Sequence, residues 1–341
     1  MLAWLKNGLA AALLFASGGA VAQDDESGFQ AYLQTLRAEA IAAGVRLGTV
    51  DAVLPTLTLD PQTIRNDRAQ PAPVSTTTFS PFAPYKAAHV DAARIGGGRR
   101  VYARQQSRLA EIERRTGVPA AIALAIYGHE SAYGAVTGRY DLFRSLATLA
   151  YEGRRRSLFA GEFIAALKML ERGVPREKMR GSWAGAFGGP QFLPSVYLRL
   201  ARDGDGDGFA DLWTSEVDTL TSIGAYLQDA GWRAGEPWGL AVSVPAGFDR
   251  ISMRTRLVAP RCPRVFVRHS GWRSMAEWRA AGIVPQGARW PADRVLATLI
   301  EPDGEGATAY LLTSNYRAIL DYNCSNFYAL SVGLLADAVA P

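Results

Sequence analysis

The sequence predicts an α+β fold that is mainly α-helical, and three observations carry that prediction. Apolar residues recur at helical spacing through most of the first 240 positions, as at Phe29, Tyr32, Leu33, Leu36, Ala40 and Ile41. From Leu240 the character changes to short runs, several of them alternating, at residues 242–244, 252–258, 265–267, 295–300 and 309–313, which read as strands of a small β subdomain. Residues 315–322 and 325–336 then return to helical periodicity. The expected organisation is residues 1–22 as a signal peptide, 23–110 as an N-terminal helical region, 111–240 as a helical core, 241–314 as the β subdomain, and 315–341 as C-terminal helices that return to the core.

Residues 1–22 carry one lysine, Lys6, before a short apolar run, and Ala20, Val21 and Ala22 put small side chains at the cleavage positions. This is the pattern of a secretory signal peptide cut after Ala22, and it is too short and too rich in Gly and Ala for a membrane anchor. No later apolar run is long enough to span a bilayer, so no membrane span is expected in the mature chain. With 341 residues, 48% of them hydrophobic, the composition is globular. The net charge of +5 suits an acidic polymer or an anionic surface but is too small to argue for nucleic acid, and none is expected as a partner. The two cysteines are Cys262 and Cys324. An exported chain pairs such residues more often than it buries them as thiols.

Residues 27–44 read as a helix closed by Gly44, residues 54–59 as a bend at Pro55, and Asp60-Pro61 as a helix start or a turn. Residues 70–84, rich in Pro, Ser and Thr, read as an extended segment anchored by Phe79, Phe82 and Tyr85. Residues 90–115 read as a long helical stretch interrupted at Gly96-Gly97-Gly98, its arginines forming a solvated face. Residues 118–134 are the stretch around which the chain is organised. Pro119 suits a helix start, residues 120–127 are apolar all round, and Gly134 offers a stop. That helix carries one acid, Glu130, near its C-terminal end. Burial and the negative end of the helix dipole both disfavour its charged form, which is the condition a general acid needs near neutral pH. The alternative is that Glu130 pairs with an arginine or caps a loop.

Residues 142–151 and 157–172 have helical periodicity. Residues 181–197 then interleave four glycines and two prolines with Trp183, Phe187, Phe192 and Tyr197, with Ser182, Gln191 and Ser195 among them. Two readings stand: a tightly packed turn, or a loop that presents aromatic faces to a ligand. Residues 203–213, DGDGDGFADLW, place Asp203, Asp205 and Asp207 at the alternating positions of a calcium loop, with Gly208 at its sharp turn and the Phe209 carbonyl as a further donor. The usual twelfth-position glutamate is replaced by Thr214, leaving Glu216 or Asp218 to close the site. Such a cation would be structural, a Ca2+ in the first instance. Residues 219–231 are a further helix.

Several chemistries are excluded. His129-Glu130 lacks the second histidine of a zinc protease, Tyr133 standing in its place, and His89, His129 and His269 are too scattered for a transition-metal site. No Gly-x-Ser-x-Gly turn and no phosphate-binding glycine loop is present. One buried acid, many tyrosines and export together suit a polysaccharide substrate, whose rings stack on aromatic faces and whose hydroxyls bond to Ser, Gln and Asn.

The motifs in order then resemble one family over nearly the whole mature chain. They are Asp67-Arg68 with Gln70-Pro71, Glu130-Ser131 with Tyr133-Gly134, residues 181–186 with Gly188, Pro190-Gln191-Phe192 and Pro194-Ser195, the Asp203 loop, Gly231-Trp232, and Tyr322-Asn323. This set resembles the lytic murein transglycosylase B family. The resemblance implies a lysozyme-like helical core flanked by an N-terminal helical subdomain and a small C-terminal β subdomain. It implies an exported, periplasmic enzyme that cleaves the MurNAc-β-1,4-GlcNAc bond of peptidoglycan glycan strands without water, leaving 1,6-anhydro-MurNAc ends. Other cell-wall enzymes are candidate partners. Glu130 matches the catalytic acid and base, and no cofactor is required for catalysis. Ser182, Gln191, Tyr226, Tyr322, Asn323 and Tyr328 match the sugar-binding cleft, with Tyr85 a looser match. Asp203, Asp205, Asp207 and Phe209 match a cation site closed by Asp218, although family members often place that aspartate one residue nearer. Some members are lipoproteins, and this chain has no cysteine beside its cleavage site. Asp141 and Glu152 are the acids weighed as a second carboxylate, which ordinary glycosidases require. A hydrolytic muramidase and a non-catalytic peptidoglycan-binding scaffold are the alternative readings.

Overall fold

The computed structural model describes residues 19–70, 80–253, 257, 262 and 265–340, and no side chain before Asp25. Most of the expected signal peptide, the anchor Phe79 with residues 71–79, and most of the expected strand at 252–258 lie outside the described residues. The described part of that strand, through Met253, is a turn.

In chain order the helices and strands begin with α1 (Gly19–Ala42), α2 (Leu47–Val53), α3 (Pro61–Arg68), α4 (Ala83–His89), α5 (Ala92–Thr116) and α6 (Ala120–Ser131). There follow β1 (Tyr140–Asp141), α7 (Leu142–Glu152), α8 (Arg156–Glu171), β2 (Arg180–Gly181), α9 (Pro194–Leu200) and α10 (Glu216–Asp229). The last part holds β3 (Gly239–Ser243), β4 (Arg273–Ser274), α11 (Met275–Ala280), β5 (Val284–Pro285), β6 (Leu296–Ile300), β7 (Ala309–Leu312), α12 (Ser314–Tyr322) and α13 (Asn326–Val339). The described residues are therefore mainly helical, with a five-stranded antiparallel sheet in the order β4-β6-β7-β3-β5 and a two-stranded one that pairs β1 with β2. It divides into two compact units, residues 2–72 with 134–219 and residues 73–133 with 220–341.

In the first unit α7 packs on α8, with Phe143 edge-on to Phe163, and α1 lies against α7 through Phe29 and Tyr151. Asp60 caps α3, accepting the Gln62 N–H at 3.0 Å, with Pro61 at the first helical position where its missing N–H costs nothing. Asp67 is 1% exposed and accepts from Arg154 at 3.0 Å and Arg155 at 2.7 Å. The Asp67-Arg68 motif thus builds a buried ion cluster, while Arg68 pairs with Glu152 at 2.7 Å.

In the second unit α6 packs on α13 and α5 inside a continuous apolar cluster. Every residue of α6 from Ile122 to Gly128 is buried, as its all-round apolar sequence requires. The sheet covers its own core, where Trp278 lies between Leu240, Val242 and Leu299 and donates to the Ala297 carbonyl at 3.0 Å. α11 opens with a capping box between Ser274 and Glu277, a Ser-x-x-Glu signal written in the sequence.

Three expectations are corrected. Residues 265–268 form a 3₁₀ turn and not a strand: Phe266 is drawn into the helical cluster, and the Asn326 amide donates to the Val265 carbonyl at 2.7 Å, so tertiary contacts override the β-branched pattern. The helix ends at Ser131, earlier than Gly134, with Ala132 and Tyr133 both left-handed at φ 51° and 60°. The run Gly96-Gly97-Gly98 does not interrupt α5, whose only non-helical residue is Gln105. The glycines serve close approach. A Cβ on Gly97 would stand 2.6 Å from the Tyr133 ring, and one on Gly98 2.6 Å from Val339 and 2.7 Å from Tyr133 Oη. A Cβ on Gly128 would also meet that ring, at 2.6 Å. Tyr133 is lodged in this notch and donates to the Arg94 carbonyl at 2.7 Å. That lodging holds two non-glycine residues in a conformation costing about 1 kcal/mol or more each.

Gly97→Ala and Gly98→Ala are expected to destabilise the protein by about 1–3 kcal/mol through overpacking against Tyr133. Gly96→Ala meets only the flexible end of Arg100 and should be neutral or stabilising by up to about 1 kcal/mol, since alanine is the better helix former. Thermal melts of the three variants separate a packing notch from a helix break, which would favour glycine equally at each position.

Candidate active site

Glu130 sits in the last turn of α6, at the negative end of the helix dipole. It keeps partial access to solvent, yet desolvation by its surroundings raises its carboxyl above the usual range. Tyr328, in the first turn of α13, donates its hydroxyl to Glu130 Oε1 at 2.6 Å, which stabilises the carboxylate and works against that rise. Burial and the Glu130 charge together push the Tyr85 hydroxyl up to about 12 and raise those of Tyr322 and Tyr328 well above their ordinary range, so all remain protonated.

The tyrosines come from four elements. Tyr226 of α10 and Tyr322 of α12 meet with ring centroids 4.6 Å apart, and Tyr226 donates to the Asp321 carbonyl at 2.9 Å. Tyr85 of α4 stacks on His89 at 3.8 Å and packs against Phe327. Asn323 ends α12 and is buried, one residue before Cys324. Cys324 is joined to Cys262 in a disulfide that closes a separation of 62 residues and ties down the turn between α12 and α13. Glu130, Tyr85, Tyr226, Tyr322, Asn323 and Tyr328 thus all belong to the second unit.

His129 is held by two protein partners. Its Nδ1 faces the Ala125 carbonyl at 3.0 Å and its Nε2 faces Ser331 Oγ at 2.7 Å. Desolvation, followed by the Arg94 and His89 charges, lowers it to about 3, so the imidazole is neutral. The sequence singled out neither Ser331 nor Asp321. Their signal is spatial: Asp321 precedes Tyr322 by one residue, and Ser331 follows Tyr328 by about one helical turn.

Ser182 and Gln191 belong to the first unit. Ser182 Oγ accepts the Ala186 N–H at 3.1 Å, and the Gln191 amide donates to the Gly188 carbonyl at 2.8 Å, with Gln191 itself left-handed at φ 52°. Around them the glycines and aromatics form the packed turn. Trp183, Phe187, Phe192 and Tyr197 are buried, and a Cβ on Gly181 would stand 2.4 Å from the Ala186 carbonyl. Asp141 caps α7 and pairs with Arg176 at 2.6 Å, as Glu152 pairs with Arg68, so both weighed acids have structural partners.

In the acidic loop, carboxylate oxygens of Asp203, Asp205 and Asp218 all lie within 4.8 Å of one another. Asp218 is fully buried, and burial and the Asp205 charge raise it. It accepts from the Gly204 and Asp211 N–H groups at 2.8 and 2.7 Å. Asp207 stands outside the trio and accepts the Phe209 N–H at 2.8 Å, and the Phe209 carbonyl accepts from Asp211 at 3.0 Å. A hard-oxygen trio around a buried acid fits a divalent cation such as Ca2+.

The family described as the Transglycosylase SLT domain matches residues 28–337. The chain is 33% identical over 228 residues to the membrane-bound lytic murein transglycosylase B of Escherichia coli (strain K12), a match that spans 66% of this chain and 58% of that protein. SltB3 from Pseudomonas aeruginosa, solved in complex with NAG-anhNAM-pentapeptide, superposes with a TM-score of 0.80 at 38% identity, covering 91% of this chain and 79% of that one. The soluble lytic transglycosylase SltB1 of P. aeruginosa gives a TM-score of 0.75 at 27% identity over 91% and 98% of the two chains. With the match running through both units and through the helix that carries Glu130, the chain belongs to the SLT transglycosylase family.

Proposed function

We propose that this protein is a lytic transglycosylase that cleaves the MurNAc-β-1,4-GlcNAc bond of peptidoglycan, with Glu130 as its single acid and base. The observation that carries this reading is one carboxyl held toward its acid form at the end of an apolar helix, with a phenol hydroxyl already placed on it. Glu130 gives its proton to the glycosidic oxygen as the bond to C1 breaks, and the GlcNAc chain leaves with a free 4-hydroxyl. Tyr328 stabilises the carboxylate that results. The substrate's own N-acetyl carbonyl supports the cationic C1. The C6 oxygen then closes on C1, and its proton returns to Glu130, so no water is consumed and no second carboxylate is needed. The family relatives support the substrate class, since SltB3 has been solved with both NAG-anhNAM-pentapeptide and NAG-NAM-pentapeptide.

The phenols of Tyr85, Tyr226, Tyr322 and Tyr328, with Asn323, would bind the sugar at Glu130, and Ser182 and Gln191 remain the polar sugar-binding candidates of the first unit. The disulfide suits an oxidising compartment, which fits export to the periplasm after cleavage at Ala22. No helix among the described residues is long and apolar enough to cross a membrane. Asp203, Asp205 and Asp218 would hold a structural Ca2+, with Asp207 and the Phe209 carbonyl as the remaining sequence candidates.

Glu130→Gln keeps the side chain's shape and removes the proton, so turnover should be lost while peptidoglycan binding persists. Mass spectrometry of the products reads this directly. Anhydro-ended muropeptides from the wild type are expected, products heavier by one water would make the protein a hydrolytic muramidase, and binding without products would make it a scaffold.

Tyr328→Phe removes a hydrogen bond that lowers the Glu130 pKa. Because the acid form is the active one, rate falls as pH rises through that pKa, and losing the bond moves this basic limb of kcat/KM upward. A limb that stays in place would mean that Tyr328 does not set the acid.

Removing a bound cation with chelator should lower the melting temperature by several degrees, as loss of a ligand at a hundred times its Kd costs about 2.7 kcal/mol. Asp218→Asn should abolish the chelator response. An unchanged wild-type melt would show the loop to be unfilled.

A further inference from the structure

We propose that His129 is a positioning residue: through its hydrogen bond to Ser331, its buried imidazole sets α6 against α13 in the register that places the Tyr328 hydroxyl on Glu130. The inference rests on Glu130 being the acid, as read above.

The need for such a device comes from the composition of α6. Residues 120–127 are mostly alanine, isoleucine and leucine, and they pack on α13 by contacts without direction. Contacts of that kind hold two helices together but resist sliding and rotation weakly. Two directional links cross this interface at the functional end. Glu130 meets Tyr328 at 2.6 Å, and its chain neighbour His129 meets Ser331 at 2.7 Å. Tyr328 and Ser331 are three residues apart and so share one face of α13. The His129 ring also stands edge-on to the Tyr328 ring at 5.6 Å. A pair of adjacent residues on one helix thus engages a stacked pair on the other, which fixes translation and rotation together. A slip of one residue, about 1.5 Å along the axis, would take the tyrosine off the carboxylate.

The protonation pattern makes the link a fixed one. The Ala125 carbonyl opposite Nδ1 assigns the ring hydrogen to that nitrogen, so Nε2 accepts from the Ser331 hydroxyl. The same Ser331 hydroxyl donates to the Tyr328 carbonyl at 2.8 Å, so its one hydrogen is shared between that carbonyl and Nε2, which sets it against the backbone of the residue it positions. The groups facing this pair are His89 and Tyr85 from α4, Asp91 and Arg94 at the start of α5, Tyr322 from α12 and Tyr328 from α13. Burial and the neighbouring cations keep the imidazole neutral throughout the working range, so it acts as a spacer and not as a switch.

The test compares kcat/KM against pH on purified peptidoglycan for His129→Phe, Ser331→Ala, Tyr328→Phe and the doubles with Tyr328→Phe. His129→Phe keeps the ring volume and removes both hydrogen bonds. Ser331→Ala breaks the same link from the other helix by deleting one oxygen, and it decides the matter alone if His129→Phe does not fold. Each single variant should raise the basic limb in the direction of Tyr328→Phe and lower the neutral-pH rate about tenfold. Added to Tyr328→Phe, neither should move the limb further, because the tyrosine they position has lost its hydroxyl. His129→Gln, which can still bond to Ser331, should return the profile toward wild type. An unmoved limb in folded Ser331→Ala, or shifts that add to that of Tyr328→Phe, would overturn the inference. Turnover retained by Glu130→Gln would instead sink the underlying assignment of the acid, whatever the limb does.

Discussion

In the proposed reaction, the hydrogen bond from Tyr328 to Glu130 balances two opposing demands on one carboxyl. To donate a proton near neutral pH the group must resist ionising, and burial at the end of α6 supplies that. To take part in a second proton transfer it must also tolerate the ionised form for an instant, and a short bond from a buried phenol supplies that. Each half depends on structure further away. α6 remains dry because its neighbours α5 and α13 enclose it. Its end is fixed because Tyr133 fills a notch that only glycine leaves open. The tyrosine is fixed because α12 and α13 form a hairpin whose turn is stapled by Cys262–Cys324.

Much of the fold was legible because periodicity survives in the elements that bury a face. α7, α8, α10, α12 and α13 fall where apolar spacing puts them, and β3, β6 and β7 where short strand-like runs do. The failures share a cause. Val265, Phe266 and Val267 carry β-type chemistry, but Phe266 is pulled into the helical cluster and the chain turns to let it in. Gly96-Gly97-Gly98 reads as a break because glycine weakens a helix taken alone. The gain that outweighs this is the approach of a tyrosine 35 residues away or more, which no local pattern encodes.

The site divides in the same way. Glu130 was legible because a single acid on an apolar helix is anomalous wherever it occurs. The phenols around it came from resemblance and not from pattern, since tyrosines are common and their convergence is tertiary. The aromatic loop at residues 181–197 shows the reverse error. Its composition allowed a ligand-facing surface, yet Phe187 and Phe192 are core residues, and the glycines admit backbone at close range. Only Ser182 and Gln191 carry polar groups there that the family resemblance marks for sugar. In the acidic loop the alternating spacing placed Asp203 and Asp205 together, but Asp207 turned to cap Phe209, and Asp218 came in from α10.

The distribution of charge around Glu130 bears on why one carboxyl can suffice. The acids that sequence offered as partners are spent on structure: Asp141 on a helix cap and Arg176, Glu152 on Arg68. Asp321, beside Tyr322, accepts the Tyr226 hydroxyl and so serves to place a phenol. The side chains that face Glu130 from α12, α13 and α4 are phenols that burial keeps protonated. In the proposed reaction such a wall would bind sugar hydroxyls and stack on rings, and its phenols, kept protonated, would not serve as bases. In that setting the group best placed to attack a cationic C1 is one the substrate already holds next to it, the C6 hydroxyl, and the base that accepts its proton is the carboxylate that has just lost one. Intramolecular attack carries an advantage in effective concentration that free water must overcome. In the proposed reaction, the same burial that favours the acid form of Glu130 would therefore also bias the second step toward ring closure.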